Sequence, residues 1–312
     1  MTASLQVRQV IDVLRRGDRP RAVQLTVLSD LARADAVALS EAWPSLAEPA
    51  RRDLVVRAVE LAEDNVDLDF TQLAQVALGD DSAEIRQRAI DALWESRDRG
   101  VASQFATVLS GDPVETVRAA AASALEPFVV AFELGELKAE DGDRVIAALR
   151  SAATNAAESL DVRARALESL GGHAQSWVES MIIEAYDADD ERMRIAAVRA
   201  MGLSAQEHWL EYLDDLVTSE EPLMRFEAAG AMGAIGSEDS VDGLAGLLND
   251  EDVDVALAAI RALGVVGSDD ALAKLRELVD LGDGELTEAA EAAIEAALYL
   301  EDPDLLASRI GL

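Results

Sequence analysis

The strongest constraint on this chain is a segment that recurs every 31 residues. Arg225 begins the stretch Arg-Phe-Glu-Ala-Ala-Gly-Ala-Met-Gly-Ala-Ile-Gly, and related stretches begin at Arg194 and at Ala256. Each stretch places small and apolar residues at the spacing of one helix face. Repetition at this period is typical of arrays in which each helical unit buries its apolar face against its neighbours.

The first residue of each copy marks the repeat along the chain. Successive markers lie 32, 45, 31, 31 and 31 residues apart, so one interval is longer than the others. We interpret residues 127–142, inside the long interval, as an extension of a helix plus a longer loop. The markers are Arg86, Arg118, Arg163, Arg194, Arg225 and, with the arginine replaced, Ala256.

The repeat also predicts the organisation of the chain. Residues 1–62 are helical but off the period, and we expect them to cap the array, with Ser4 capping the first helix and a second running from Arg19-Pro20 to about Leu31. The array is predicted over 63–300, with a single helix from Pro113 to about Leu134. A last short helix from Asp302-Pro303 predicts a C-terminal cap at 301–312.

Composition limits the function. The net charge is −34, and residues 1–60 are nearly neutral, so the acidic charge belongs to the array. Such a surface repels phosphate, which argues against nucleic acid and membranes and allows a basic protein partner. Only two of the 27 basic residues are lysines, and the rest are arginines. This bias is compatible with a GC-rich genome and also with a saline cytoplasm. Cysteine is absent and no signal peptide or long apolar run is visible, so we expect a cytoplasmic protein.

The repeated pattern Val-Arg-x-Ala-Ala-x-x-Ala-Leu-Gly-x-x-Gly resembles the HEAT repeat, in particular short bacterial units first associated with phycobilisome lyases. The best copies are 224–248 and 255–278. The resemblance implies an all-α fold, a right-handed α-α superhelix (HEAT-like solenoid) of about eight helix pairs. It leaves function open, because HEAT families include scaffolds, adaptors, lyase subunits and one basic branch of DNA glycosylases.

The resemblance also assigns structural roles to the repeated residues. It places the arginines beside acids in the turns between helices, so that Arg86 would meet Asp80 or Asp81. Arg118 would meet Asp112 or an acid of a neighbouring repeat. We expect the glycines after each second helix to adopt the left-handed conformation of a helix cap. These glycines are Gly171, Gly202, Gly233 and Gly264.

No residue pattern predicts catalysis. His173 and His208 lie in turns without a convergent acid motif, and no nucleophile elbow, Walker loop or zinc motif is present. The acidic stretch 249–254 lacks the glycine and the glutamate of a calcium loop, and we interpret it as helix capping. The sequence therefore predicts no catalytic, cofactor-binding or metal-binding residue.

Aromatic residues that interrupt the repeat are the candidates for protein binding. Trp and Arg are enriched in interface hot spots. The alternative for each aromatic is that it fills a gap between helices, and the apolar 127–142 extension either packs on its neighbour or binds a partner. The candidates are Trp94, Phe226, Trp177, Trp209, Phe128 and Phe132.

We conclude from the sequence that a non-catalytic scaffold or adaptor for protein–protein interaction is favoured. The alternative is a phycobilin-lyase-like or other cofactor-handling subunit, which requires an apolar pocket with polar anchors. A nucleic-acid glycosylase is disfavoured by the acidic charge. The identity of the partner and the oligomeric state are not encoded in any recognisable motif.

Overall fold

The chain is helical throughout the part described by a computed structural model, namely residues 4–94, 96–282 and 284–301. No strand occurs within these ranges. By contacts the chain divides into two compact units, Met1–Ala166 and Leu167–Leu312. Among the described helices, none is long and apolar enough to cross a membrane. The predicted all-α class is confirmed.

The first unit contains ten helices and the beginning of an eleventh within its described residues. Short 3-10 turns at Thr26–Leu28 and Trp43–Ser45 extend α2 and α3. The helices are α1 (Leu5–Arg15), α2 (Ala22–Leu25), α3 (Arg33–Ala42), α4 (Glu48–Asp64), α5 (Thr71–Ala77), α6 (Ala83–Asp91), α7 (Arg99–Gly111), α8 (Glu115–Ala124), α9 (Glu126–Glu133), α10 (Ala139–Thr154) and α11 (Leu160–Leu170).

The N-terminal region confirms one prediction and corrects another. The Ser4 hydroxyl accepts a hydrogen bond from the Val7 N–H at 3.3 Å and caps α1 as expected. The predicted second helix stops early, because Ser29 is extended and ends the turn after α2, and Asp30 then adopts a left-handed φ of 50°. Helix α3 was not predicted, because most of its apolar residues are alanines and its amphipathic pattern is therefore weak.

The predicted single helix over 113–134 is two helices. The side chain of Asp112 accepts a hydrogen bond from the Val114 N–H at 2.9 Å, and α8 begins only at Glu115. Pro127 lies in the first turn of α9 and cannot donate a backbone hydrogen bond to α8. The proline therefore divides the helix that the apolar spacing predicts as continuous.

The second unit follows the repeat closely. Its second helices α13, α15, α17 and α19 pack side by side in chain order, and α12, α14, α16 and α18 each pack on the helix that follows. These are the helix pairs that the period predicts. The bounds are α12 (Ser176–Tyr186), α13 (Glu191–Leu203), α14 (Leu210–Leu216), α15 (Pro222–Ile235), α16 (Val241–Gly246), α17 (Val253–Val266), α18 (Asp269–Leu281) and α19 (Glu285–Glu301).

The predicted domain limits stay predictions. Helices α1 to α4 belong to the same compact unit as the helices that follow them, as a cap would, but the structure divides the chain after Ala166 and not after residue 62. The C-terminal cap predicted from Asp302-Pro303 lies outside the described residues.

The repeated glycines have a different role from the one predicted. Gly233 lies inside α15 rather than at its cap, and a Cβ built there would lie 2.8 Å from the Cβ of Ala262 in α17. Only hydrogen at this position lets the two helices approach so closely. The same contact recurs three more times in this unit, at Gly171 with Ala200, Gly202 with Ala231, and Gly264 with Ala293.

The left-handed caps occur three residues later. Gly236 and Gly267 end α15 and α17 with φ of 69° and 66°. Ala205 stands at the corresponding place after α13 and adopts a φ of 51°, which a residue with a Cβ rarely takes. Left-handed glycine caps therefore occur as predicted, but three residues after the glycines to which the prediction assigned them.

Candidate functional site

The repeated arginines form a series of ion pairs, which we call the arginine ladder. In the first unit Arg86 donates to both carboxylate oxygens of Asp112, at 2.6 and 2.8 Å, and to the backbone carbonyls of Asp80 and Asp81. Arg118 binds Glu158 in the same two-pronged way, at 2.9 and 2.7 Å. Arg86 therefore meets Asp80 and Asp81 as expected, but through their backbone carbonyls, and its carboxylate partner is Asp112 of a later turn.

The ladder begins one step earlier than the period predicts. Arg51 of α4 lies 2.7 Å from the buried carboxylate of Asp80, and Trp43 donates its indole N–H to the same group at 2.7 Å. The sequence offered no signal for Arg51, because its distance from Arg86 does not match the repeat.

In the second unit the strength of the pairing varies from repeat to repeat. Arg225 donates to both oxygens of Asp250 at 2.7 Å, which lowers the pKa of the Asp250 carboxyl, and to the carbonyl of Ser219. Arg194 reaches Glu221 only at 3.4 Å. Arg163, in the first unit, donates to the carbonyl of Ala153 at 3.4 Å. The buried two-pronged pairs of Arg86 and Arg225 are what a structural role requires. For Arg163 and Arg194, with weaker contacts, that role stays a prediction.

The aromatic residues of the 127–142 extension pack inside the first unit. Phe128 is 1% exposed and meets Phe105 edge-on, with ring centroids 6.3 Å apart. Phe132 is half-buried, and its ring covers Gly142, where even a Cβ would collide with it. The prediction of a partner-binding surface at Phe128 is wrong, because its side chain is core, and Phe132 mainly closes α9 onto α10.

The second unit also encloses most of its predicted aromatics. Trp209 is 1% exposed and packs beside Tyr212, so its predicted contact with a partner is wrong. Trp177 is half-buried beside His173, with ring centroids 5.6 Å apart. Phe226 is half-buried on α15. These placements favour gap-filling over recognition.

Trp94 is the exception, because 69% of its surface is exposed. It follows the end of α6 and lines two open grooves of the first unit. The α6–α8 groove, of about 590 Å³, is shared with residues that include Ile90, Ser123 and Arg165. The second groove lies among the ends of α4 and α6, the 65–70 loop and α5. A single exposed indole therefore forms a wall of both depressions.

The second groove, which we call the acidic groove, has an apolar floor and acidic residues at its edge. Its volume is about 580 Å³, and no lysine or arginine lines it among the described residues. Val66, in the loop after α4, is 95% exposed and adds apolar surface to the lining. The lining includes Val59, Glu63, Val66, Asp69, Asp91 and Trp94.

Asp91 faces both grooves, one helical turn before Trp94. It forms no ion pair or side-chain hydrogen bond within the described part of the chain, since nearby Arg88 binds Glu84 instead. Loss of water around its carboxyl raises the pKa of Asp91, and Arg88 lowers it by a smaller amount. The side chain lies at the surface, so the crowding comes from the groove walls and leaves one face open to water.

In the second unit, the acid at the repeat position of Asp91 is paired with arginines. Glu168, five residues after a marker arginine like Asp91, is bound by Arg192 at 2.6 Å and by Arg199 at 3.6 Å. Arg199 occupies the same place in the next repeat and also binds Glu227. The next repeat after Asp91 has Ser123 at that place, which supplies no positive charge. The sequence could have revealed this difference through an alignment of the repeats.

Within the described residues, no three histidine, aspartate or glutamate side chains come together as metal ligands.

The comparison of sequences decides the family. The family described as "HEAT repeats" matches residues 70–171, 178–259 and 207–295, which together exceed half of the chain. The chain belongs to the HEAT repeat family. Its repeats form a helical scaffold, as the resemblance implied, and no curated protein matches the sequence.

Solved structures similar to this HEAT repeat chain include proteins of different kinds. E. coli YibA is 14% identical, with 95% of this chain and 98% of that one covered and a TM-score of 0.43. Human deoxyhypusine hydroxylase in complex with glycerol is 17% identical, with 94% and 97% covered and a TM-score of 0.36. An engineered protein is 20% identical, with 73% and 95% covered and a TM-score of 0.38.

Proposed function

We propose that this HEAT repeat chain is a non-catalytic scaffold that binds another protein at the surface around Trp94. The observation that carries the proposal is the exposure of Trp94 between two grooves in a chain with only 4% aromatic residues. A tryptophan left in water contributes little to folding, whereas tryptophan anchors dominate many protein interfaces. The two grooves beside it offer concave surface on which a partner segment can bury apolar groups.

The absence of catalysis is a proposal from the sequence. It rests on the lack of a nucleophile, acid–base or metal motif. The acidic charge supports a protein partner rather than a nucleic acid. A gel-shift titration at low salt is expected to show no binding of duplex or single-stranded DNA.

Selection of peptides from a random library displayed on phage tests the proposed surface without assuming the chemistry of the partner. We expect wild-type protein to enrich a related set of peptides. Replacement Trp94→Ala should weaken binding of those peptides by tenfold or more, roughly the loss typical of a hot-spot tryptophan. Binding is measured by titration of the synthetic peptides.

The matched control is Tyr299→Ala, which removes another exposed aromatic side chain, in α19 of the second unit. This variant should bind the selected peptides as the wild type does. Circular dichroism and urea unfolding should be unchanged for both variants. Peptides that bind Trp94→Ala and wild type equally well would refute the proposed surface.

A further inference from the structure

We propose that the acidic groove recognises a basic segment of its partner, in which an arginine or lysine lies against Trp94 and pairs with Asp91 while a neighbouring apolar side chain enters the groove. The inference rests on the proposed function and adds the chemistry of the ligand. It is carried by the combination of one exposed indole, an apolar floor and carboxylates without internal cations.

The charges of the groove select a cation. Glu63, Asp69 and Asp91 line it, and no lysine or arginine does within the described residues. Asp69 already accepts a hydrogen bond from the Thr71 N–H, which leaves Glu63 and Asp91 as the available carboxylates. An anionic segment would be repelled by these carboxylates. A neutral segment would leave the partly desolvated carboxyl of Asp91 without a cation.

The second unit shows how the same repeat position is satisfied from within. There the acid Glu168 is bound by Arg192 at 2.6 Å and lies 3.6 Å from Arg199, both from the next repeat. In the first unit Thr116 and Ser123 replace those two arginines, so an arginine of a partner would supply the cation that this repeat omits. The face of an indole attracts guanidinium and ammonium groups, and Trp94 lies one helical turn from Asp91.

The apolar part of the groove requires a second feature of the ligand. Val59, Val66 and the ring of Trp94 line it, and Val66 is almost fully exposed. Burying this surface favours a segment that carries an aliphatic side chain next to its basic residue. A fully hydrophilic polycation lacks that group and is expected to bind more weakly.

The test is a fluorescence-anisotropy titration with a short labelled peptide in which arginine and leucine alternate. Companion peptides carry glutamine or glutamate in place of arginine, or serine in place of leucine. We expect the arginine–leucine peptide to bind at least about tenfold more tightly than any companion, since each omits the cation or the apolar anchor.

Matched variants separate the groove from the general acidity of the protein. The pair Asp91→Asn and Glu63→Gln should weaken the arginine–leucine peptide by about tenfold. The pair Glu211→Gln and Asp242→Asn changes the net charge equally but alters exposed acids of the second unit, and should change affinity less than twofold. Equal losses in the two pairs would show nonspecific attraction and overturn the inference.

The outcomes distinguish this inference from the proposed function. If the glutamine peptide binds as tightly as the arginine peptide, or the arginine peptide fails to bind, the basic ligand is refuted. The protein-binding surface then still stands if peptides selected from the library depend on Trp94. If no selected peptide depends on Trp94, the proposed function fails as well.

Discussion

The two units place opposite residues at one position of the repeat, eight residues after the marker arginine. In the second unit this position is glycine, and Gly233 lets α15 touch Ala262 of α17. In the first unit it is Trp94, and Ala124, the counterpart of Ala262, lines the α6–α8 groove together with it. One position therefore closes the helix interface in one unit and borders an open groove in the other.

This contrast separates close helix packing from exposed surface within a single repeat pattern. Close contact between helices at Gly233 gains dispersion energy and excludes water. Trp94 does not make a close contact of this kind, and apolar and acidic surface stays exposed beside it. Substitutions at the two positions should consequently affect different measurements.

The largest effect is expected from Gly233→Leu, which forces a side chain between α15 and α17. Overpacking of this kind should lower the free energy of unfolding by about 3 kcal/mol. Urea unfolding measures the loss. The control Gly230→Leu lies on the same helix at a position where a Cβ meets nothing within 4 Å, and should be neutral or stabilising.

Trp94→Ala should lower the free energy of unfolding by less than about 1 kcal/mol. A loss equal to that of Gly233→Leu would contradict the contrast between the two positions.

The next effect concerns the arginine ladder. Arg225→Ala leaves the buried carboxylate of Asp250 without its two-pronged partner and should cost about 2 kcal/mol. The combined variant Arg225→Ala and Asp250→Ala should recover part of the loss. Arg194→Ala, whose contact with Glu221 is 3.4 Å, should cost much less. Additive losses at Arg225 and Asp250 would show that the pair is not coupled.

Acid should weaken the same pair. Because the pKa of Asp250 is lowered in the folded chain, its contribution is present above the ordinary pKa of an aspartate and is lost as pH falls through the lowered value. Urea midpoints measured from neutral to acidic pH should fall less steeply for the combined Arg225→Ala and Asp250→Ala variant than for wild type. Parallel curves would exclude this contribution.

The smallest expected effect is an increase in the free energy of unfolding. Ala205→Gly relieves the left-handed backbone at the end of α13 and should stabilise the chain by about 0.5 kcal/mol, after the greater flexibility of glycine in the unfolded state is taken into account. Gly236→Ala, at the equivalent place after α15, should destabilise by about 1 kcal/mol. Thermal unfolding of the pair tests whether the caps are equivalent.

The sequence predicts most of the second unit because its period and its structure coincide there. Apolar spacing places α13, α15 and α17 correctly, since each buries the same face. It does not reveal why Gly233 is conserved between copies of the repeat, because a cap and a close contact both call for glycine. That distinction depends on a residue 29 positions away in the chain.

The first unit is predicted less completely, for a related reason. Arg51 and Asp80 pair across a distance that fits no repeat, and the break before Pro127 depends on a single missing hydrogen bond. Trp94 was correctly recognised as a departure from the pattern, but the same reasoning selected Trp209, which is buried. Spacing identifies unusual residues, whereas exposure is decided by the helices that pack around them.

The arginine ladder also bears on how such a chain can lengthen. The segment between Arg225 and Ala256 carries one arginine and, in Asp250, the acid that receives it. A duplication of this segment would add a complete arginine–aspartate pair, but it would also copy the buried Glu227, whose partner Arg199 belongs to the preceding repeat and is matched by Gly230 in the copied segment. Beyond it, Ala256 requires no acid. A new copy inserted before Ala256 therefore keeps its own arginine paired but needs a neutral residue in place of the copied Glu227. The ladder ends where its last arginine is replaced.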